Sequence, residues 1–314
     1  MGRGRKKGDA ISGWINLDKP YGMTSTQAIG KVRRALNAQK IGHAGTLDPL
    51  ATGVLPIALG EATKTISFAQ DDLKTYSFTI TWGEQRRTDD LEGDVIATSD
   101  HRPTSDDITN ILSAYIGEIE QTPPIFSAIK VNGERAYDIA RDGDTPELQS
   151  RIVYIESLKL TKTSDNEADF LMTCGKGTYV RSIARDMGKA LGTEGYISKL
   201  RRERVGGFTA NDAISLDNLK KMDYISARTE ALLPLNTVLD DIPALQLKED
   251  ETARLRNGQV LSFVSRPDFE RLTAVGLGKK EAQTALALFN DAPVALIEQE
   301  RADIKSIRVF NLVI

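Results

Sequence analysis

One cysteine, two histidines and no long apolar run leave this chain without what several function classes need. Cys174 alone cannot build an internal disulfide framework, and with only His43 and His101 beside it there are too few nitrogen and sulfur ligands for a zinc or iron centre. The chemistry expected is metal-free. No stretch of about 18 apolar residues occurs, and the basic start is followed by Asp9 and Ser12 rather than an apolar signal core. A soluble, cytoplasmic protein is the expectation. A surplus of positive charge is also missing: the formal charge is -3 and the pI is near 5.7, which by itself argues against a partner rich in phosphate. The positive charges are clustered, however. Arg3, Arg5, Lys6 and Lys7 form a basic arm, Lys31, Arg33 and Arg34 sit together, and Arg201, Arg202 and Arg204 make a third group.

What is present is a chain of 314 residues, 40% hydrophobic, long enough for two domains or one large domain with an appendage. Gly13-Trp14-Ile15-Asn16-Leu17 reads as a short strand, and Ser25 as the N-cap of a helix through Ile29, Val32 and Leu36. Val54 to Leu59 has the apolar run of a buried strand, and 61–69 looks helical. In the next segment Tyr76, Phe78, Ile80 and Trp82 alternate with Ser77, Thr79 and Thr81, the period of a half-buried strand whose apolar face includes Tyr76. Ser105 is expected to cap a helix through Ile108, Leu112 and Ile116, and Asn132-Gly133 signals a turn. Residues 153–160 and 169–173 read as a hairpin, followed by Gly175-Lys176-Gly177 and a helix from about Val180 to Leu191 that closes at Gly192. Hairpins mixed with helices, without regular βαβ alternation, point to an α+β sheet. Pro234 and Pro243 bracket an acidic stretch that places a domain boundary near residue 235. Beyond it, 256–261, 294–297 and 307–310 are strand-like, with a helix-like segment at Lys279–Leu288.

The most informative stretch is Gly42-His43-Ala44-Gly45-Thr46-Leu47-Asp48-Pro49-Leu50-Ala51-Thr52-Gly53. Its glycines allow positive φ and close approach, and Pro49 keeps Asp48 out of the α region and stiffens the turn. Asp48 is thereby expected to be held and aimed, either as a functional carboxylate or as a plain turn cap.

Together with Leu17-Asp18-Lys19-Pro20-Tyr21-Gly22-Met23-Thr24-Ser25 and Lys176-Gly177-Thr178-Tyr179-Val180-Arg181, this stretch resembles the bacterial pseudouridine synthases that modify the T arm of tRNA. The resemblance runs from about residue 11 to 235. It implies the pseudouridine synthase fold, a mixed, largely antiparallel sheet flanked by helices, over 11–235. Residues 1–10 then form a basic arm and 236–314 a small β-rich PUA-like RNA-binding domain. It also implies the isomerisation of one T-loop uridine, at position 55, without cofactor or metal. The expected partner is a tRNA T stem-loop, met by a monomer with no obligate protein partner and no membrane.

Site residues follow from the same resemblance. Asp48 is the expected nucleophile, attacking ribose C1′ or uracil C6, and must be ionised at neutral pH. Arg181 is its expected cation, although an ordinary ion pair with Asp186 or Glu203 is the simpler alternative; in the first turn of a helix its charge opposes the macrodipole, so an acidic partner is needed. Tyr76 is expected to pack on the uracil and assist loss of the C5 proton, where pattern alone would make it core. Tyr179 and Leu200 are expected to line the pocket of the flipped base. His43 is expected at the vacated stack, Lys19 at the pocket floor or a phosphate, and Lys176 with Arg201-Arg202 at flanking phosphates. The loop Gly83-Glu84-Gln85-Arg86-Arg87-Thr88-Asp89-Asp90-Leu91-Glu92-Gly93 departs from the family pattern by lacking its second threonine.

Two other readings use the same residues: a guide-RNA-dependent synthase, which would need partner proteins, and an RNA-folding protein indifferent to Asp48. Deleting residues 1–8 should weaken RNA binding at low salt and flatten its salt dependence; an unchanged slope in a filter-binding titration would show that the arm never meets phosphate.

Overall fold

The computed structural model describes residues 8–127, 129–131, 133–142, 144, 146–278 and 281–312. The basic residues Arg3, Arg5, Lys6 and Lys7, Asn132 of the expected turn and the first two residues of the Lys279–Leu288 segment lie outside this set.

Long strands rich in β-branched and aromatic residues build one ten-stranded sheet. Its main path runs Ile214–Ser215, Gly13–Lys19, Thr52–Leu59, Gly195–Val205, Lys74–Trp82, Glu167–Cys174, Arg151–Thr163, Gly117–Gln121. Ile41–His43 is attached to Thr52–Leu59, and Phe208–Thr209 to Gly195–Val205. Pairing is antiparallel except where Ile214–Ser215 meets Gly13–Lys19 and where Gly195–Val205 meets Thr52–Leu59. The α+β reading of the sequence is therefore the arrangement found. Phe78, Ile80, Trp82, Phe170 and Leu200 turn one sheet face into a core, onto which the helices Ser25–Ala35 and Val180–Ala190 pack Ala28, Val32, Ile183, Ala184 and Met187.

Two helix starts differ from the sequence reading by one residue. Thr24, not Ser25, caps the first helix in a capping box with Gln27, and Thr104, not Ser105, caps Ser105–Ile111 with Asp107. In both, the threonine already has extended backbone and its hydroxyl reaches the N3 amide. The first shift releases the Ser25 hydroxyl from the helix end and points it inward.

Residues 244–312 form a second, five-stranded sheet in the order Ala244–Gln246, Gln283–Phe289, Ala292–Glu300, Asp303–Val309, Leu261–Ser262. The helical expectation for Lys279–Leu288 is overturned: Gln283–Phe289 is a strand, its Ala285, Leu286 and Ala287 buried by pairing with Ala292–Glu300. Tertiary pairing has overridden the helix preference of alanine and leucine. The expected strand at 256–261 is mostly the end of helix Glu249–Arg256 and a turn, with only Leu261 in a strand.

Gly53 shows how closely the sheet is built. Its φ is +98°, and a Cβ there would lie 2.2 Å from the carbonyl oxygen of Arg202 on the neighbouring strand. Gly53→Ala should therefore destabilise the protein by about 2–4 kcal/mol, through strain and strand separation. A urea unfolding midpoint equal to that of the wild type would refute this account of the strand contact.

Candidate active site

The loop from Gly45 to Leu50 carries the Asp48 carboxylate and is tied at several points. The freed Ser25 hydroxyl donates to the Leu47 carbonyl at 3.0 Å and accepts from the Leu47 amide at 2.8 Å. The Gly22 amide donates to the Pro49 carbonyl at 2.8 Å, and Asp48's own carbonyl accepts from Ala51 at 3.1 Å. Behind the loop, the wholly buried Lys19 ammonium donates to the carbonyls of Met23 at 2.7 Å, Pro20 at 3.0 Å and Pro49 at 3.4 Å. Lys19 is thus excluded from phosphate and from the cleft wall; it braces the loop from the protein side. Burial pushes its pKa down to about 8, with Asp48 pulling the other way.

Asp48 Oδ2 lies 3.0 Å from Arg181 Nε. Arg181 is the second residue of the helix Val180–Ala190 and only 4% exposed, whereas about a third of the Asp48 side chain remains open. Asp90 Oδ2 also stands 3.6 Å from Nε, and the terminal nitrogens donate to the carbonyls of Thr88 and Phe126, each at 2.9 Å. A cation at a helix N-terminus opposes the macrodipole, and here two carboxylates and two carbonyl dipoles offset it. The partners Asp186 and Glu203 considered from sequence are engaged elsewhere, with Arg185 at 2.9 Å and Arg201 at 3.3 Å.

Asp90 and Thr88 belong to the loop that departs from the family pattern. The loop keeps its place because Asp90 Oδ1 accepts from the Glu92 amide at 3.0 Å and from the Thr88 hydroxyl at 2.5 Å. Backbone bonds from Ile197 to Asp89 and from Leu91 to Ile197, both 3.1 Å, dock it on the Gly195–Val205 strand. Asp89 pairs with Arg185 at 3.2 Å, yet burial still pushes its pKa up to about 6, and burial also raises those of Asp90 and Glu92. Sequence reading passed over Asp90 because its carboxylate meets Arg181 only through this long-range docking.

A cleft of about 790 Å³ opens beside the pair. Asp48, Tyr76, Tyr179, Arg181 and Leu200 line it together, with Phe126, Arg151 and Lys176 toward its mouth. Tyr76 lies on the Lys74–Trp82 strand, and burial raises the pKa of its hydroxyl. Tyr179 is fixed by its backbone: its amide donates to Gln121 Oε1 at 2.8 Å and its carbonyl accepts from Gln121 Nε2 at 3.1 Å. The Arg151 guanidinium lies 5.2 Å from the Tyr179 ring centroid.

His43 ends the short strand Ile41–His43, outside the cleft wall, and burial lowers its pKa. The expectations for the two arginines change. Arg202 is 1% exposed and cannot grip a phosphate, and Arg201 is held by Asp18 in a bidentate pair at 3.0 and 3.1 Å. Lys176 does stand exposed at the cleft mouth, paired with Asp71 at 2.6 Å. Among the described residues no cluster of His, Cys, Asp and Glu could hold a metal, and no helix is long and apolar enough to cross a membrane.

Comparison with known proteins bears on this geometry. Residues 33–180 match the N-terminal domain model of the TruB family pseudouridylate synthases, and 181–242 match a tRNA pseudouridylate synthase B C-terminal domain. A tRNA pseudouridine synthase B of Caulobacter vibrioides is 52% identical over 98% of this chain and 99% of its own, and one of Rhodospirillum rubrum is 47% identical over the same shares. Among solved structures, an H/ACA RNP bound to a substrate RNA containing 2′-deoxyuridine superposes with TM-score 0.71 at 23% identity, covering 96% of this chain and 85% of that one. A Cbf5-Nop10-Gar1 complex gives 0.69 at 26%, covering 95% and 83%.

The Lys19 brace makes a signed prediction. Its folded pKa of about 8 lies below the ordinary 10.5, so between these values the unfolded chain binds more protons and this group's contribution to stability rises with pH. The stability of wild type relative to Lys19→Met should therefore move in the wild type's favour from about pH 8 to about pH 10. A pH-independent difference in unfolding free energy would contradict the buried-amine account.

Proposed function

The chain belongs to the TruB family of pseudouridylate synthases, and from that premise we propose that it isomerises uridine to pseudouridine in the T loop of tRNA, at position 55. The observation that carries the reading is the Asp48–Arg181 pair, with its carboxylate open on a cleft walled by Tyr76, Tyr179 and Leu200. A flipped uridine enters that cleft and its base packs against Tyr76. Asp48 stabilises or covalently traps the intermediate as the bond from N1 to C1′ breaks. The base then turns, C5 bonds to C1′, the C5 proton is lost and N1 gains one, so that product and substrate are isomers. Arg181 holds the Asp48 carboxylate aimed at the cleft, and Asp90 helps to keep Arg181 in place.

Several features support the RNA side of the reading. The cleft mouth bears Lys176 and Arg151, with Tyr137 and Ile152 exposed beside them, a mixture of cations and apolar surface suited to an unpaired, extruded loop. Residues 236–314 act in this reading as a PUA-like RNA-binding domain, 11–235 as the catalytic domain and 1–10 as a basic arm. The enzyme works on free tRNA without a guide or an obligate protein partner. The full-length identity to synthases acting on tRNA supports this over a guide-dependent enzyme, for which only the fold likeness speaks.

Release of tritium from a tRNA transcript labelled at uridine C5 tests the reading. The purified chain alone should release it, and Asp48→Asn should bind the transcript with the same affinity yet lose at least about 10⁴-fold in rate. Turnover by that variant, once deamidation is excluded, would remove Asp48 from the nucleophile's role; no release by the wild type despite RNA binding would favour a guided or RNA-folding protein.

A further inference from the structure

The charge in this site that the reaction scheme leaves without a task is Arg202. Its guanidinium is among the largest fully buried side chains, and among the described residues no carboxylate forms an ion pair with it. An arginine cannot shed its charge on burial as a lysine can. A buried cation without a counter-ion costs several kcal/mol unless its donors are well placed. Here they are: Nε donates to the Val54 carbonyl at 2.7 Å, one terminal nitrogen to Gly45 at 3.1 Å and the other to Thr46 at 3.5 Å. Tyr76 stands opposite Arg202 in the strand pairing, and while burial raises the pKa of its hydroxyl the nearby guanidinium charge pulls it the other way.

The sheet register explains the meeting. Arg202 stands opposite Tyr76 on one neighbouring strand and opposite Gly53 on the other, so one row of the sheet runs from Gly53 through Arg202 to Tyr76. Glu203 is the extra residue of a bulge that follows this row, and the next pairing places Arg204 opposite Thr75. The fork of Arg202 thus spans two carbonyls that precede Asp48 by three and two residues, and the tyrosine on the strand across from it. Burial is the main cause of the lowered pKa values of Lys19, His43 and Lys74, and the Arg202 charge adds to each of them.

We propose that Arg202 is a positioning residue of the reaction, holding the Gly45-Thr46 carbonyls and the Tyr76 hydroxyl in one frame so that Asp48 and Tyr76 meet the bound base in fixed register. This rests on the function proposed above. Planarity and a two-pronged reach, rather than charge alone, are what the geometry uses, so lysine is not an adequate substitute.

Arg202→Lys, Arg202→Gln and Arg202→Met test it under single-turnover conditions with C5-tritiated tRNA, alongside RNA affinity, thermal unfolding and a cycle with Tyr76→Phe. Each variant that folds should lose about 10²-fold in the single-turnover rate, as expected for a misplacement of order 1 Å, with affinity for tRNA within about threefold of wild type. Lysine should recover less than a tenth of the lost rate. In the Tyr76→Phe background the Arg202→Lys penalty should shrink, because part of it acts through that hydroxyl. Wild-type rates in the variants, a loss confined to RNA affinity, full rescue by lysine, or unfolding of all three would each overturn the assignment. Absence of tritium release by the wild type would instead count against the function itself.

Discussion

A cation at the wrong end of a helix is the constraint around which this protein is arranged. Arg181 sits in the first turn of Val180–Ala190, where the exposed amides already carry partial positive charge, and it is almost wholly buried. Such a group is tolerable only if anions and carbonyls converge on it. They come from three separate stretches: Asp48 from the loop before one central strand, Thr88 and Asp90 from a loop docked on another, and Phe126 from the segment after Gly117–Gln121. Placing those stretches is the task of the mixed sheet, whose parallel step between Thr52–Leu59 and Gly195–Val205 brings the Asp48 loop beside strands far away in sequence.

The loop carrying Asp48 is defined by its surroundings more than by its own sequence. Besides the Ala51 amide, a serine hydroxyl, a buried ammonium, a buried guanidinium and one glycine amide hold its carbonyls and amides, and these four come from different elements. In the function proposed above, such preorganisation holds the carboxylate in place with little reorganisation during the reaction. It also explains why so many polar side chains are buried close together: their partners are backbone groups that a loop cannot satisfy by itself.

Much of this could be read in the sequence, and the boundary between the legible and the hidden is physical. Asp48, Tyr76 and Arg181 lie in short contiguous patterns, so their convergence follows from a resemblance spread over several motifs in order. The alternation of Tyr76, Phe78, Ile80 and Trp82 announced its strand because one face is buried. What stayed hidden depends on pairing across long separations. Arg202 looked like a surface cation because its cluster is basic, and only the register with Tyr76 and Gly53 shows it facing inward. Ser25 passed for a cap because the threonine before it is an equally good one, and the strand Gln283–Phe289 passed for a helix because its alanines and leucines have no partner strand until the sheet closes.

The two sheets share an apolar cluster in which Trp14, Val54 and Phe208 pack with Leu286, Leu296 and Phe310, and polar ties from Lys64 to the Val309 carbonyl at 2.6 Å and from the Asn311 amide to Glu61 at 2.8 Å fasten the seam. The smaller sheet is thereby a fixed arm rather than a tethered bead. In the function proposed above, an RNA that touched both parts would meet two surfaces joined by packing rather than by a bare linker. Val54, which belongs to that seam, also offers its carbonyl to Arg202, whose guanidinium reaches the Gly45 and Thr46 carbonyls, so one side chain links the seam to the Asp48 loop.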